Sequence, residues 1–168
     1  MKTLILFRHA KSDWSSGETN DHDRPLAPRG QKAAKTMGRF LKQSGQAPDS
    51  IVTSSALRAR NTVDLAVKAG EWDCKTRITD RLYNCSPVDM LKEIRAEADT
   101  TQVLLIAGHE PTCSETIARL TGDAKLGFST GAMARLDFPI ERWRDADFGR
   151  AELVWLVPPK LVKKLLKE

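Results

Sequence analysis

The chain of 168 residues is long enough to bury a sizeable core, and we expect one domain over residues 1–168. Its composition, 40% hydrophobic and 29% charged, is that of an ordinary globular protein and argues against a low-complexity chain. The net charge of +5 is unevenly placed, because residues 1–60 hold 11 Lys and Arg against 5 Asp and Glu, a balance of +6. That excess suits an anionic ligand, although on composition alone a solvated basic face is the more common explanation.

The predicted elements begin with an apolar run at 3–8, which Arg8 ends. The run is too short for a signal sequence or a membrane span, so we interpret it as a buried strand. A polar loop follows at 12–25, and strand-length and amphipathic segments then alternate, which predicts an α/β layered domain with a mainly parallel sheet. Further strands are predicted at 50–54, 76–79, 102–107, 132–138 and 152–157, and helices at 29–42, 56–69, 87–96, 112–120 and 160–168.

Polar side chains follow the carboxyl ends of three predicted strands. Arg8 and His9 end the first strand, Ser54 and Arg58 follow the second, and His109 follows the fourth. Ligands of open α/β sheets bind beyond the carboxyl ends of the strands. We therefore expect these side chains to share one rim of the sheet.

Two of the three histidines occupy strand ends, which suggests either a metal site or an anion site. A zinc site is disfavoured because no Cys or carboxylate spacing supplies further ligands, and we expect no metal and no cofactor. Arginine matches phosphate oxygens bidentately, and cations around His9 would disfavour its protonation and keep the imidazole nucleophilic. The cysteines, at 74, 85 and 113, suit a reducing compartment, so a cytoplasmic location is expected.

Several segments of the chain resemble one family in order and spacing. The run Arg8-His9-Ala10-Lys11-Ser12 resembles the R-H-G/A signature of the histidine phosphatase superfamily, in its phosphoglycerate mutase-like branch. The resemblance covers nearly the whole chain and implies a three-layer α/β/α sandwich, a phosphohistidine intermediate and no metal. The segments that resemble the small SixA-type phosphohistidine phosphatases are Arg24-Pro25-Leu26 with Gly30, Ser54-Ser55-Ala56-Leu57-Arg58-Ala59, Gly108-His109-Glu110-Pro111 and Thr130-Gly131-Ala132.

The resemblance also implies roles for four residues, carried over by position. His9 is expected to be the nucleophile, and Arg8 and Arg58 are expected to bind the phosphoryl oxygens. His109 is expected to complete the pocket. Considered without the motif around it, Arg58 would more often be a solvated charge on a helix.

Two further residues are candidates for substrate binding. Ser12 either donates a hydrogen bond to phosphate or caps its own loop. Arg24 either reaches the site or holds its own loop in place, and we favour the second role.

The chain differs from the larger members of the family it resembles in the residue that could donate a proton to the leaving group. Those relatives carry a catalytic Glu in a segment inserted after the second helix, whereas residues 80–101 are short here. Asp80, Asp23 and Glu110 are the candidates for a general acid, and none is preferred. A phosphoramidate substrate would lessen the need for one, because protonated imidazole already leaves readily.

Three functions remain as hypotheses. The first is a phosphohistidine phosphatase acting on a phosphorylated protein, since a short 80–101 segment leaves no large lid and leaves room for a protein surface. The second is a phosphatase of small phosphomonoesters. A non-catalytic phosphate-binding module is disfavoured because both His9 and His109 are present. Aromatic residues are only 6%, so no nucleic-acid partner is expected, and no membrane partner is expected either.

Overall fold

The computed structural model describes residues 1–167, and the predicted strands and helices are present there, most of them within one residue of their predicted bounds. The last predicted residue of the C-terminal helix, 168, lies outside the described residues. The strands are β1 (Lys2–Arg8), β2 (Ser50–Ser54), β3 (Lys75–Thr79), β4 (Val103–Gly108), β5 (Met133–Phe138) and β6 (Glu152–Val157). The helices are α1 (Pro28–Gln43), α2 (Leu57–Gly70), α3 (Pro87–Arg95), α4 (Thr112–Thr121) and α5 (Pro159–Leu165), and short 3-10 turns lie at Asp21–Asp23, Asp80–Leu82 and Trp143–Asp145.

The strands form one six-stranded sheet in the order β3-β2-β4-β1-β5-β6. Strands β1 to β4 pair in parallel, β5 is antiparallel to β1, and β6 is antiparallel to β5. Only β5 therefore runs against the common direction. The predicted mainly parallel sheet is confirmed, and the first and fourth strands lie in its interior.

Helices cover both faces of the sheet and create two separate cores. Leu4 and Leu6 of β1 pack with α3 and α4, whereas Ile5 and Phe7 pack with α1, α2 and α5. All four side chains are 0% exposed. Successive residues of a strand point to opposite faces, so a strand covered on both faces is continuously apolar. This explains the apolar run at the start of the chain and confirms the three-layer α/β/α sandwich.

The register of the central strands brings three chain segments to one edge. Arg8 is paired with Gly108, and Thr53 is paired with Ala107. Because these strands are parallel, β1, β2 and β4 all end at the same edge of the sheet. The residues that immediately follow these strands therefore lie next to one another.

Candidate active site

His9 lies directly after β1 and is only 8% exposed. Its backbone N–H donates to the carbonyl of Gly108 at 3.0 Å, and its own carbonyl accepts from Gly131 at 3.1 Å. Its ring Nδ1 lies 2.7 Å from the carbonyl oxygen of Ala10. A carbonyl can only accept, so Nδ1 carries the proton and Nε2 retains its lone pair. The backbone thus selects the tautomer in which Nε2 is nucleophilic.

The loop after His9 is held tightly against α1 and α2. The N–H of Ala10 donates to the Thr62 hydroxyl at 3.0 Å, and the carbonyl of Lys11 accepts from Ala27 at 2.9 Å. Gly30, in the first turn of α1, approaches this loop so closely that a Cβ there would lie 2.2 Å from the Lys11 carbonyl oxygen. Any side chain at that position would displace the loop, which accounts for the glycine.

His109 follows β4, and its ring centroid is 5.1 Å from that of His9. Its Nε2 is hydrogen-bonded to the Ser54 hydroxyl at 2.8 Å, and the Tyr83 ring lies 5.8 Å away, edge to face. Its Nδ1 is buried and has no hydrogen-bond partner among residues 1–167. Ser54 therefore fixes the ring by one nitrogen, and the other nitrogen has no partner in the described chain.

Arg8 and Arg58 bring buried guanidinium nitrogens to the same region. Arg58 lies in the first turn of α2 and is 6% exposed, and Arg8 donates through Nη1 to the carbonyl of Phe128 at 2.7 Å. The Nε atoms of Arg8 and Arg58, like that of Arg24 in the neighbouring loop, are buried and have no hydrogen-bond partner within residues 1–167. Buried polar groups without partners are costly, and a bound anion would satisfy them. The two arginines are thus suited to hold phosphate.

Asp21 is a site residue that the sequence did not single out. Its carboxylate accepts from Arg24 through Oδ1, and through Oδ2 from Arg58 at 3.0 Å and from the Tyr83 hydroxyl at 2.8 Å. Burial alone would raise the pKa of this carboxyl, but the hydrogen bonds from Tyr83 and Arg58 outweigh it, so the pKa lies below its ordinary value. Asp21 is therefore ionised at neutral pH. The only sequence signal was its position three residues before Arg24.

The two residues predicted to bind substrate lie in the loop before α1. Arg24 is bonded to Asp21, and its guanidinium carbon lies 3.4 Å from the centroid of the Trp14 ring. Arg24 thus braces its own loop and is linked to Arg58 through Asp21. Ser12 is 5% exposed and forms an isolated antiparallel bridge with Leu26.

The three candidate general acids lie in three different parts of the structure. Asp23 accepts from Asn20 at 2.9 Å in its own loop. Glu110 accepts two hydrogen bonds, of 2.7 and 2.8 Å, at the start of α4. Asp80 lines a cleft of about 430 Å³ together with Tyr83. Two of these carboxylates are therefore engaged locally, whereas Asp80 lines a cleft whose Tyr83 ring lies 5.8 Å from the His109 ring.

The electrostatics of the site keep both strand-end histidines neutral. Burial lowers the pKa of His9 to about 3; the Ala10 carbonyl opposes this, and His109, Arg58 and Arg8 lower it further. Burial, followed by Arg58, lowers the pKa of His109 to about 4. The sequence interpretation named the cations as the cause of a neutral His9, and this is corrected here: desolvation in the buried pocket is the larger cause.

These two buried imidazoles predict how stability depends on pH. Their folded pKa values, about 3 and about 4, lie below the unfolded value of 6.5, so the unfolded chain binds protons first as pH falls. Their contribution to the free energy of unfolding is complete above about pH 6.5. Below that pH it declines by about 1.4 kcal/mol per pH unit for each histidine. Urea unfolding at several pH values between 7 and 5 should show that the free energy of unfolding falls less per pH unit for His9→Asn than for the wild type. An equal fall per pH unit in the two proteins would contradict the burial of a neutral His9.

Comparison with known proteins agrees with this geometry. Residues 4–102 match the histidine phosphatase superfamily (branch 1). An uncharacterised protein of Mycobacterium tuberculosis (strain ATCC 25618 / H37Rv) is 37% identical over 163 residues, covering 91% of this chain and 99% of that protein.

Two solved structures share the fold over almost the whole chain. A SixA phosphohistidine phosphatase candidate from Nakamurella multipartitia has a TM-score of 0.82 and 31% identity, covering 94% of this chain and 96% of the other. Another, from Agrobacterium tumefaciens, has a TM-score of 0.80 and 26% identity, covering 94% and 98%. The chain therefore belongs to the histidine phosphatase superfamily, and its structure is of the SixA type.

Proposed function

We propose that this phosphatase hydrolyses phosphohistidine on a protein through a phosphoryl intermediate on Nε2 of His9. The observation that carries the proposal is the combination of a buried, neutral His9 in the Nε2-nucleophile tautomer with two arginines whose buried Nε groups lack partners in the described chain. Membership of the histidine phosphatase superfamily supports phosphatase chemistry in general. The substrate class is the part that we propose.

In the first step, Arg8 and Arg58 hold the phosphoryl oxygens while Nε2 of His9 attacks phosphorus in line with the bond that breaks. The P–N bond of the substrate breaks, and its electron pair returns to the substrate imidazole. The reacting form is the one whose second ring nitrogen is protonated, so the group leaves as neutral imidazole. Catalysis consists of positioning and of charge stabilisation by the arginines and His109.

In the second step, water attacks phosphorus and the P–Nε2 bond breaks. Its electron pair returns to Nε2, and His9 is regenerated with its proton still on Nδ1. Both protons of the water molecule leave with the phosphate as dihydrogen phosphate, so charge balances without an added base. The Ala10 carbonyl keeps the ring in one tautomer and one orientation throughout.

The leaving group favours this substrate over small alkyl phosphomonoesters. An alkoxide must be protonated as it leaves, and Asp21, the carboxylate bonded to Arg58, is ionised at neutral pH. A phosphohistidine that is protonated on its second ring nitrogen leaves as neutral imidazole, so its leaving nitrogen needs no proton donor. The alternative, a small phosphomonoester, would need a proton donor such as Asp80, which lines the cleft that also contains Tyr83.

Comparing specificity constants tests this proposal. We expect kcat/KM for a phosphohistidine-bearing protein to exceed that for each of a panel of alkyl phosphomonoesters, because only the former needs no proton donor. Within residues 1–167, no three His, Cys, Asp or Glu side chains form a group that could hold a metal ion, so we expect the same values after treatment with EDTA. A larger kcat/KM for an alkyl ester would refute the substrate class, and loss of activity with EDTA would refute metal independence.

We also propose a cytoplasmic location, in which the cysteines stay reduced. Cys74, Cys85 and Cys113 are all free thiols in the structure. No helix within the described part of the chain is long and apolar enough to span a bilayer.

A further inference from the structure

A basic groove lies between α1 and α5, which pack against each other on one face of the sheet. Its volume is about 420 Å³, and none of the described residues that line it is a carboxylate. The cationic residues that line it are Arg29, Lys32, Lys35, Arg39, Lys160 and Lys163.

The groove continues towards His9. A second groove, of about 490 Å³, is lined by Lys11, Ser129 and Thr130, and it shares residues of α1 and α5 with the first. Lys11 is two residues beyond His9, and Thr130 immediately precedes the glycine whose N–H donates to the His9 carbonyl. The shared lining residues are Arg29, Ala33, Pro159 and Lys160. The basic groove therefore extends along α1 to the loop that follows His9.

The charge of these two helices is of one sign. Helix α1 carries five Lys and Arg, α5 carries three, and neither has an Asp or Glu within its span. Arg29, Lys32 and Lys35 follow one another at spacings of three, where like charges are neighbours on the helix surface and destabilise it. Helix stability thus does not account for the pattern, whereas an anionic partner does.

We propose that the basic groove docks an acidic segment of the phosphoprotein whose phosphorylated side chain enters the His9 site; this inference rests on the proposed function. Residues 29 to 35 of α1 span about 9 Å, so a single phosphate is too small to contact both ends. A concave, cation-lined groove matches a chain segment better than a flat bilayer. The exposed apolar side chains of α5, Leu161 and Leu165, are not among the residues that line the groove.

A binding measurement tests the groove without using catalysis. The probe is a fluorescein-labelled peptide of twelve alternating Glu and Asp residues, and binding is followed by anisotropy at increasing salt. The groove variant carries K32E, K35E and K163E, three exposed positions outside the candidate catalytic residues. We expect the wild type to bind with a Kd that rises with salt, and the groove variant to bind at least tenfold more weakly.

A matched control variant carries K75E, R144E and R150E. These residues are exposed and lie near the edge of the sheet opposite to His9, because they begin β3, follow β5 or precede β6. Its net charge changes by the same amount as that of the groove variant. Because its substitutions lie near the opposite edge of the sheet, we expect its Kd for the peptide to stay within about twofold of the wild-type value. Equal weakening in both variants would overturn the proposal. Binding of phosphatidylserine vesicles without binding of the peptide would overturn it as well.

A kinetic measurement separates this proposal from the proposed function. For a phosphohistidine protein with an acidic surface, the groove variant should show about tenfold lower kcat/KM, mostly through KM, while kcat/KM for an aryl phosphate stays unchanged. An unchanged KM for that phosphoprotein would overturn the proposal that the groove docks its acidic segment. If the wild type does not hydrolyse phosphohistidine but the peptide still distinguishes the two variants, the proposed function fails and the groove stands.

Discussion

Replacing His9 with alanine is expected to abolish both turnover and the covalent phosphoenzyme while leaving the fold intact. The imidazole is the proposed phosphoryl acceptor. Among the described residues, only His9 has a ring nitrogen hydrogen-bonded to the carbonyl of Ala10. The ring is neutral in the folded protein, so its removal leaves no buried charge without a partner. Circular dichroism of the variant should match that of the wild type.

The adduct provides the direct measurement. Rapid quenching with labelled substrate should trap a phosphoryl group that is labile in acid and stable in base, and peptide mapping should place it on His9. His22→Ala is the control, because that ring contacts Ser55 and Tyr83 instead of the His9 loop, and this variant should still form the adduct. Normal turnover by His9→Ala, or an adduct on a cysteine or serine, would refute the mechanism.

Replacing Arg58 with alanine is expected to lower kcat/KM by about 10²–10³-fold, the loss that follows removal of one preorganised donor. Its guanidinium is 6% exposed, its Nε lacks a partner in the described chain, and it helps to keep both histidines neutral. Arg58→Lys should recover only part of the loss, because an ammonium keeps the charge but not the planar fork.

Arg60→Ala is the matched control for Arg58. It lies on the same helix, and its Nε donates to the carbonyl of Ser55 at 2.9 Å. Its replacement should change kcat/KM by less than about threefold. A similar loss in the two alanine variants, or a loss below threefold for Arg58→Ala, would show that Arg58 does not contact phosphate.

The architecture was predictable because its signals are local in the chain. A strand buried on both faces must be apolar at every position, which is why the 3–8 run indicated a central strand. The alternation of strands with amphipathic helices indicated parallel strands, since parallel neighbours need a crossover. These signals also placed Arg8, His9, Ser54, Arg58 and His109 at one edge, where the structure brings them together. Their catalytic roles stay predictions.

Three features required the tertiary structure, because each joins residues that are distant in sequence. Tyr83 and Asp21 are hydrogen-bonded although 62 positions separate them, and no spacing in the chain indicates that pair. The neutrality of His9 comes mainly from burial, which depends on everything packed around it. The basic groove exists only because α5 packs on α1 from the other end of the chain. Local patterns determine which elements form and which way they face, whereas side-chain contacts, desolvation and shared surfaces arise only when those elements pack.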